Sequence, residues 1–217
     1  CGGPEAPKPE VAAEDLKPIN PKEAAEAAAA KVRSDALATQ KPEFDAALAA
    51  NDVVKLDDLA DAGNGWALLH RGQTRLSSQD FSQQQAGFED MEAAADKGVA
   101  EAQFWLGNAY GTQINNVGMI SKMSMAPKLR DAFEKTVRLD PDNLDARESL
   151  LEYYLQAPSV VGGGRDKAQI QVREIARRDP ARGHLAQARI YLSEENNAAA
   201  LKSYEAAYAA KPGDANI

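Results

Sequence analysis

Recurring short polar breaks constrain the fold of this chain more than any other feature of its sequence. Between them lie stretches that are mostly the length of one short helix, and no stretch alternates apolar and polar residues as a strand does. The breaks fall at Gln40–Pro42, Asn51-Asp52, Gly63–Gly65, Ser77–Asp80, Lys97-Gly98, Asp140–Asn143, Asp179–Gly183 and Lys211–Asp214. This spacing predicts an all-α protein built from helical hairpins.

The stretch from Ala100 to Asn143 carries the most specific pattern. Leu106, Gly107 and Tyr110 lie on one predicted helix, Phe133 lies on the next, and Pro141 closes the unit. Leu and Tyr at these positions point into a hairpin, and glycine lets the partner helix approach closely. Proline cannot continue a helix and therefore sets the turn to the next hairpin.

These residues resemble the Leu-Gly-x-x-Tyr helix and its partner in a tetratricopeptide repeat. The pattern recurs over 144–180, where Leu151 replaces the glycine, and over 181–214, where Tyr204 and Pro212 hold the motif's aromatic and proline positions. The resemblance implies a right-handed α-solenoid of antiparallel helix hairpins, and it implies binding of a protein partner.

The rest of the chain departs from the motif. Residues 65–99 form a degenerate copy, residues 21–64 supply helices that would cap the stack, and residues 1–20 are rich in Gly and Pro. A terminal hairpin needs a polar outer face, which is the reason to expect a cap. Residues 1–20 hold few large apolar side chains, so we expect them to form a flexible tether.

Two insertions interrupt the repeat. Against the family's period of about 34 residues, the first hairpin has ten extra residues before Pro141 and the second has five before Pro180. They lie in Gly111–Ala126 and Ala157–Gly164, between the two helices of each hairpin and therefore on one edge of a solenoid. Insertions of this kind often decorate a binding edge.

The resemblance also implies an inner groove that binds the partner. Repeat register would place near it Glu101, Phe104, Asn108, Asp145, Glu148, Glu152, Arg182, Leu185 and Arg189. Its acidic members favour a basic or mixed-charge partner segment, and they oppose the clamp for a C-terminal carboxylate that some family members have. The alternative is an ordinary solvated acidic face. Phe104 and Trp105 are adjacent and cannot both point inward, so one of them would be an exposed anchor.

The run Gly162-Gly163-Gly164-Arg165 opens a helix. Its backbone N–H groups would suit an anion, but the run lacks the spacing of a nucleotide P-loop. A structural hairpin turn is the alternative.

No pattern for catalysis or for a cofactor is found. His70 and His184 have no ligand or carboxylate partner at a fixed spacing, and the single cysteine excludes a Cys-rich metal site. We predict a role for neither histidine beyond packing or capping. A net charge of −8 and a sequence pI near 4.9 argue against nucleic acid as a partner. No apolar run reaches the length of about 20 residues that crosses a bilayer.

Cys1 is the sharpest local feature. A cysteine followed by Gly2-Gly3 and a Pro-rich segment resembles the mature start of a bacterial lipoprotein, in which that cysteine is acylated. The resemblance implies an anchor on the periplasmic side of the envelope, and Gly2 in place of Asp implies the outer membrane. A cysteine left by a cloning or domain boundary, on a cytoplasmic protein, is the alternative.

Together these features predict a non-enzymatic scaffold or adaptor of the bacterial cell envelope. It would bind a protein partner through the repeat groove and the inserted segments, and it would touch the membrane only through Cys1. Two other functions stay open: a small-ligand or anion-binding module that uses residues 162–167, and a purely structural solenoid.

Overall fold

The computed structural model describes residues 21–114 and 117–212. Within them the chain forms ten α-helices and a 3₁₀ turn at Ser159–Val161, and no strand. The helices are α1 (Pro21–Ala49), α2 (Val53–Asp61), α3 (Gly65–Leu76), α4 (Phe81–Asp96), α5 (Ala100–Ile114), α6 (Met119–Leu139), α7 (Leu144–Gln156), α8 (Arg165–Arg178), α9 (Pro180–Ser193) and α10 (Asn197–Ala210).

The helices pack as sequential antiparallel pairs. The hairpins are α3 with α4, α5 with α6, α7 with α8, and α9 with α10. Each pair also packs against the next through α4–α5, α6–α7 and α8–α9, while α1 lies against α2 and α3. The predicted all-α architecture of helical hairpins is confirmed.

Polar side chains at the breaks fix where several helices begin. The side chain of Asn64 accepts hydrogen bonds from the backbone N–H groups of Trp66 and Ala67. Asn143 and Asp179 do the same for α7 and α9. Such caps satisfy N–H groups that have no partner inside the helix, which explains why the breaks in the sequence coincide with helix starts.

Gly107 shows why the repeat needs a glycine in the first helix of this hairpin. A Cβ atom built on Gly107 would lie 2.5 Å from Cε1 of Phe133, on the partner helix α6. Real side chains do not approach this closely, so only glycine permits the observed packing of α5 on α6. Gly183 packs against Ala176 in the same way.

Two hydrophobic clusters form the core. The first lies among α1–α5 and contains the fully buried Met91, with Leu68 and Leu106. The second lies among α6–α9, around Leu150 and Ile175. Phe133 belongs to the second cluster and Ala132 to the first, so α6 connects the two.

The predicted break at Gln40–Pro42 is wrong, because α1 continues through Pro42 to Ala49. Proline removes a helical hydrogen bond at that turn, but the start of α3 bonds to carbonyls beside it. The indole N–H of Trp66 donates to the carbonyl of Leu37, and the amide of Asn64 donates to the carbonyl of Gln40, each at 3.1 Å. Tertiary contacts therefore hold the helix together where the local sequence predicts an end.

The first insertion is mostly helical rather than a loop. Helix α5 extends to Ile114, and α6 begins at Met119, so both helices run into the inserted segment Gly111–Ala126. Met, Lys and Ala favour helix, and Pro127 is accommodated inside α6. The insertion therefore lengthens both helices of the hairpin.

Cys1 and the predicted tether 1–20 lie outside the described residues, and so do residues 115–116 and 213–217. Among the helices that are described, none combines the length and hydropathy needed to cross a bilayer.

Candidate protein-interaction surface

Two of the acidic residues predicted for the inner groove, Asp145 and Glu148, are paired with arginines within the protein. Arg182 of α9 donates from Nε to Oε1 of Glu148 at 2.7 Å and from Nη2 to the carboxylate of Asp145, both on α7. Arg189 donates to the other oxygen of Glu148 at 3.2 Å. A basic partner segment would have to compete with these arginines, so the pairs serve first to join consecutive hairpins.

Other predicted groove residues also have contacts inside the protein. Glu101 accepts a hydrogen bond from the amide of Gln73 at 3.0 Å, which joins α5 to α3. Phe104 is half-buried, and its ring centroid lies 5.8 Å from that of Phe133. Trp105 is the exposed member of the adjacent aromatic pair, and Asn108 is exposed as well. Phe104 therefore packs against the second core cluster, and part of its side chain stays accessible.

The glycine run forms a hairpin turn. The N–H groups of Gly162, Gly163 and Gly164 all donate to backbone carbonyls of residues 154–159, at 2.9 to 3.2 Å. Gly162 has φ +98°, which favours glycine. Arg165, the fourth member of the predicted anion loop, pairs with Glu194. An anion would have to displace these bonds, so the geometry favours the structural alternative.

The two histidines lie on different helices, His70 on α3 and His184 on α9. The ring of His70 lies 6.1 Å from that of Phe44 in an edge-on contact, and His184 is exposed on α9. Asp179 rather than His184 caps α9. Across residues 21–114 and 117–212, no group of three or more His, Cys, Asp and Glu side chains could hold a metal ion.

The two insertions meet at one apolar groove of about 660 Å³. Its walls are the end of α5, the first half of α6, the last turns of α7, and residues 157–161. Met119, Met123 and Val160 line it and are exposed, while Phe133 and Tyr153 form its buried part. We call this site the insertion groove.

Side chains from α6 and α7 fix the wall formed by residues 157–161. The hydroxyl of Tyr153 donates to the carbonyl of Val161 at 2.5 Å, and Nη1 of Arg130 donates to the same oxygen at 3.2 Å. Burial raises the pKa of Tyr153, so the phenol stays protonated and keeps donating at neutral pH. The neighbouring Tyr154 donates to Oε1 of Glu134 at 2.7 Å.

One cation and one carboxylate line the insertion groove on different helices. Lys122 lies on α6, and within the described part of the chain no carboxylate lies within ion-pair distance of it. Glu152 lies on α7, where its side chain bonds to the amide of Gln156. No cation among the described residues pairs with Glu152. Both charges are therefore open to an outside partner.

Sequence reasoning placed the insertions on a binding edge but did not identify Met119, Lys122, Met123 or Val160 as site residues. The signal was present in Met119, Ile120 and Met123, whose spacing puts apolar side chains on one side of a helix. Because the segment was expected to lie between the two helices of the hairpin, this helical spacing did not mark it as a site.

Comparisons with known proteins support the fold. One crystal structure of MamA has a TM-score of 0.50 and 18% identity and covers 92% of this chain and 99% of its own. A second structure, described as a crystal structure of MamA protein, has a TM-score of 0.52 and 19% identity; the match covers 85% of this chain and 96% of that one. No curated protein matches the chain. The chain is thus an all-α protein of sequential antiparallel helix pairs, similar in fold to MamA.

A family model described as the C-terminal globular domain of fibrinogen beta and gamma chains matches residues 45–181. The described residues in that range form helices and turns without a strand. The all-helical structure gives this match no support, so the class of the protein rests on its helical hairpins.

Proposed function

We propose that this chain is a non-enzymatic scaffold that binds a partner protein at the insertion groove. The observation that carries the proposal is the convergence of two insertions, separate in sequence, on one groove with exposed apolar side chains. Contiguous apolar surface that stays exposed in a folded protein is typical of an interaction site.

The chemistry of the groove supports a protein partner. Methionine side chains are flexible and polarisable, and they adapt to the shape of a bound apolar side chain. The inner face predicted from the repeat is less suited to binding, because Asp145 and Glu148 are already paired with arginines of the next hairpin. A tetratricopeptide-like fold is itself suited to joining proteins, since stacked hairpins present extended surfaces.

A photo-crosslinking amino acid placed at Ile120 tests the proposal in the source cells. Ile120 is 88% exposed beside the insertion groove, and Val32, on α1, is a control position that is 68% exposed. We expect the probe at Ile120 to crosslink a specific protein, identified by mass spectrometry, that the probe at Val32 does not. Equal crosslinking from both positions would contradict the proposal.

Purified partner then gives a quantitative test. Val160→Ser removes apolar surface from the groove, and Val54→Ser makes the same change on α2, where exposure is 73% against 80% for Val160. We expect Val160→Ser to weaken binding by about tenfold, as loss of one buried apolar side chain does. Val54→Ser should bind as the wild-type protein does.

We further propose that the scaffold belongs to the bacterial envelope and is anchored on its periplasmic side through acylated Cys1. The support is the sequence Cys1-Gly2-Gly3 followed by a Pro-rich segment. The native protein should carry acyl mass on its N-terminal peptide, and Cys1→Ser should move it from the membrane fraction to the soluble fraction. A native N-terminus without acyl groups would contradict the anchor and leave the scaffold function intact.

A further inference from the structure

We propose that the insertion groove binds one amphipathic α-helix of its partner, with an acidic side chain beside Lys122 and a basic side chain beside Glu152. This inference rests on the proposed function, because it specifies the kind of segment that the scaffold binds.

The lining of the groove selects apolar anchors. The exposed Met119, Met123 and Val160 lie at its opening, and the aromatic rings of Phe133 and Tyr153 lie deeper. A volume of about 660 Å³ is within the range of sites that enclose a ligand of several apolar groups. A segment that presents two or three large apolar side chains on one face would fill it.

The backbone of the groove's walls selects a helical partner over an extended one. Helices α5, α6 and α7 bond their backbone groups internally, and the described part of the chain contains no strand whose edge would pair with a peptide. The carbonyl of Val161 already accepts from Tyr153 and Arg130. An extended segment would leave its own N–H and C=O groups unpaired against apolar walls, whereas a helix satisfies them internally.

The charges select the flanks of that helix. Lys122 and Glu152 lie on different walls and have no ion-pair partner among the described residues. A helix lying between them would present its two flanks to these side chains, one to each. The complementary arrangement is an acidic flank toward α6 and a basic flank toward α7.

Synthetic peptides of about 20 residues, long enough to form a helix, test this inference by fluorescence anisotropy with the full chain. Three peptides share one stripe of leucines along the helix and differ in the residues on either side of it. The mixed-flank peptide has Glu on one side and Lys on the other, and the two single-charge peptides have Glu on both sides or Lys on both sides. A fourth has the composition of the mixed peptide in a strand-like alternating order. We expect the mixed-flank helix to bind about fivefold more tightly than either single-charge helix, and the alternating peptide to bind at least tenfold more weakly.

Charge reversal makes the test directional. In Lys122→Glu both groove charges are negative, so the Lys-only peptide should become the tightest ligand. In Glu152→Lys the Glu-only peptide should become the tightest. Val160→Ser should weaken all three helical peptides, and Val54→Ser should weaken none. Val54, Glu152 and Val160 are exposed, Lys122 is half-buried, and none of them belongs to either core cluster. Circular dichroism checks that each variant folds as the wild-type protein does.

Several results would overturn the inference. Equal binding of the alternating and helical peptides would refute the helical partner, and an order of affinities unchanged by Lys122→Glu would refute the charge assignment. Loss of all peptide binding, with crosslinking from Ile120 intact, would refute the helix and leave the scaffold function standing. If crosslinking also failed, the proposed function would fail with it.

Two other occupants are separate outcomes that would also overturn the inference. Binding to phosphatidylethanolamine–phosphatidylglycerol vesicles that Ile120→Ser abolishes would assign the surface to a membrane. A concentration-dependent dimer in sedimentation equilibrium that the same substitution abolishes would assign it to a second copy of this chain.

Discussion

Replacing Gly107 with alanine would place a methyl group where the second helix of the hairpin already lies. The new Cβ would be 2.5 Å from Cε1 and 2.8 Å from two other ring carbons of Phe133. An ordinary contact is at least 3.4 Å, so the ring or the whole of α6 has to move by about 1 Å. Overpacking of this kind costs about 1–3 kcal/mol of unfolding free energy.

Gly111→Ala is the matched control, because Gly111 lies one turn further along α5. Its Cβ would be 3.5 Å from Cδ1 of Leu129, which is an ordinary contact. Each substitution gains about 1 kcal/mol of helix propensity, so the difference between the two variants isolates the steric cost. Gly111→Ala should raise the unfolding free energy, and Gly107→Ala should lie about 1–3 kcal/mol below it.

Urea denaturation followed by circular dichroism and by tryptophan fluorescence measures this difference. In thermal unfolding the same difference corresponds to about 2–4 °C for each kcal/mol. Adding Phe133→Leu to Gly107→Ala should restore part of the loss, which a double-mutant cycle reports as a coupling energy between the two sites. If Gly107→Ala were as stable as Gly111→Ala, the close approach of α5 and α6 would be refuted.

Two further predictions concern charged groups. Arg71 pairs with the buried Asp90 and with the exposed Asp61. In the same urea titration, Asp90→Asn should lower the unfolding free energy by about 2–3 kcal/mol, because it removes one partner of a buried ion pair. Asp61→Asn should lower it by less than about 1 kcal/mol, because its pair is exposed. A hydrogen bond from Lys211 lowers the pKa of Asp179 in the folded protein below its ordinary 3.8. The contribution of this pair to the unfolding free energy is therefore complete above pH 3.8 and is lost as the pH falls through the lower folded-state pKa. Asp179→Asn should flatten that acid-dependent loss of stability, and an unchanged acid profile would contradict the pairing.

The helical hairpins could be predicted because their causes are local. Three residues each meet a requirement within one hairpin. Leu106 supplies an inward apolar side chain, Gly107 allows the close approach of the second helix, and Pro141 ends that helix. Pro42 shows the limit of local reasoning, since bonds from Trp66 and Asn64 to α1 carry the helix through a proline. The residues that make those bonds lie more than 20 positions away.

The pairing across the inner face was accessible to sequence reasoning but needed a comparison between repeats. Asp145 and Glu148 lie near the start of α7, and Arg182 lies near the start of α9, the first helix of the next hairpin. The first helices of these two hairpins contact each other, so opposite charges near corresponding ends of the two helices predict an ion pair. Considering each residue alone instead suggested an open acidic groove.

The insertion groove could not be built from the sequence. Its apolar character depends on Met119 and Met123 lying on a helix, and its closure depends on Val160 lying against that helix from another hairpin. The helix was hard to predict because Gly118 and Pro127 are residues typical of loops. In the structure Gly118 directly precedes α6, and Pro127 lies inside the helix. The position of Val160 depends on how α6 and α7 pack together, which no local pattern specifies.

The central claim is that the insertion groove binds a partner segment, and methionine methyl NMR tests it most directly. The chain has four methionines; Met119 and Met123 line the groove, and the fully buried Met91 is an internal reference in the first core. With ¹³C-methyl methionine and saturating mixed-flank peptide, we predict that the Met119 and Met123 signals shift and that the Met91 signal does not. Unmoved Met119 and Met123 signals, or an equal shift of Met91, would contradict the account.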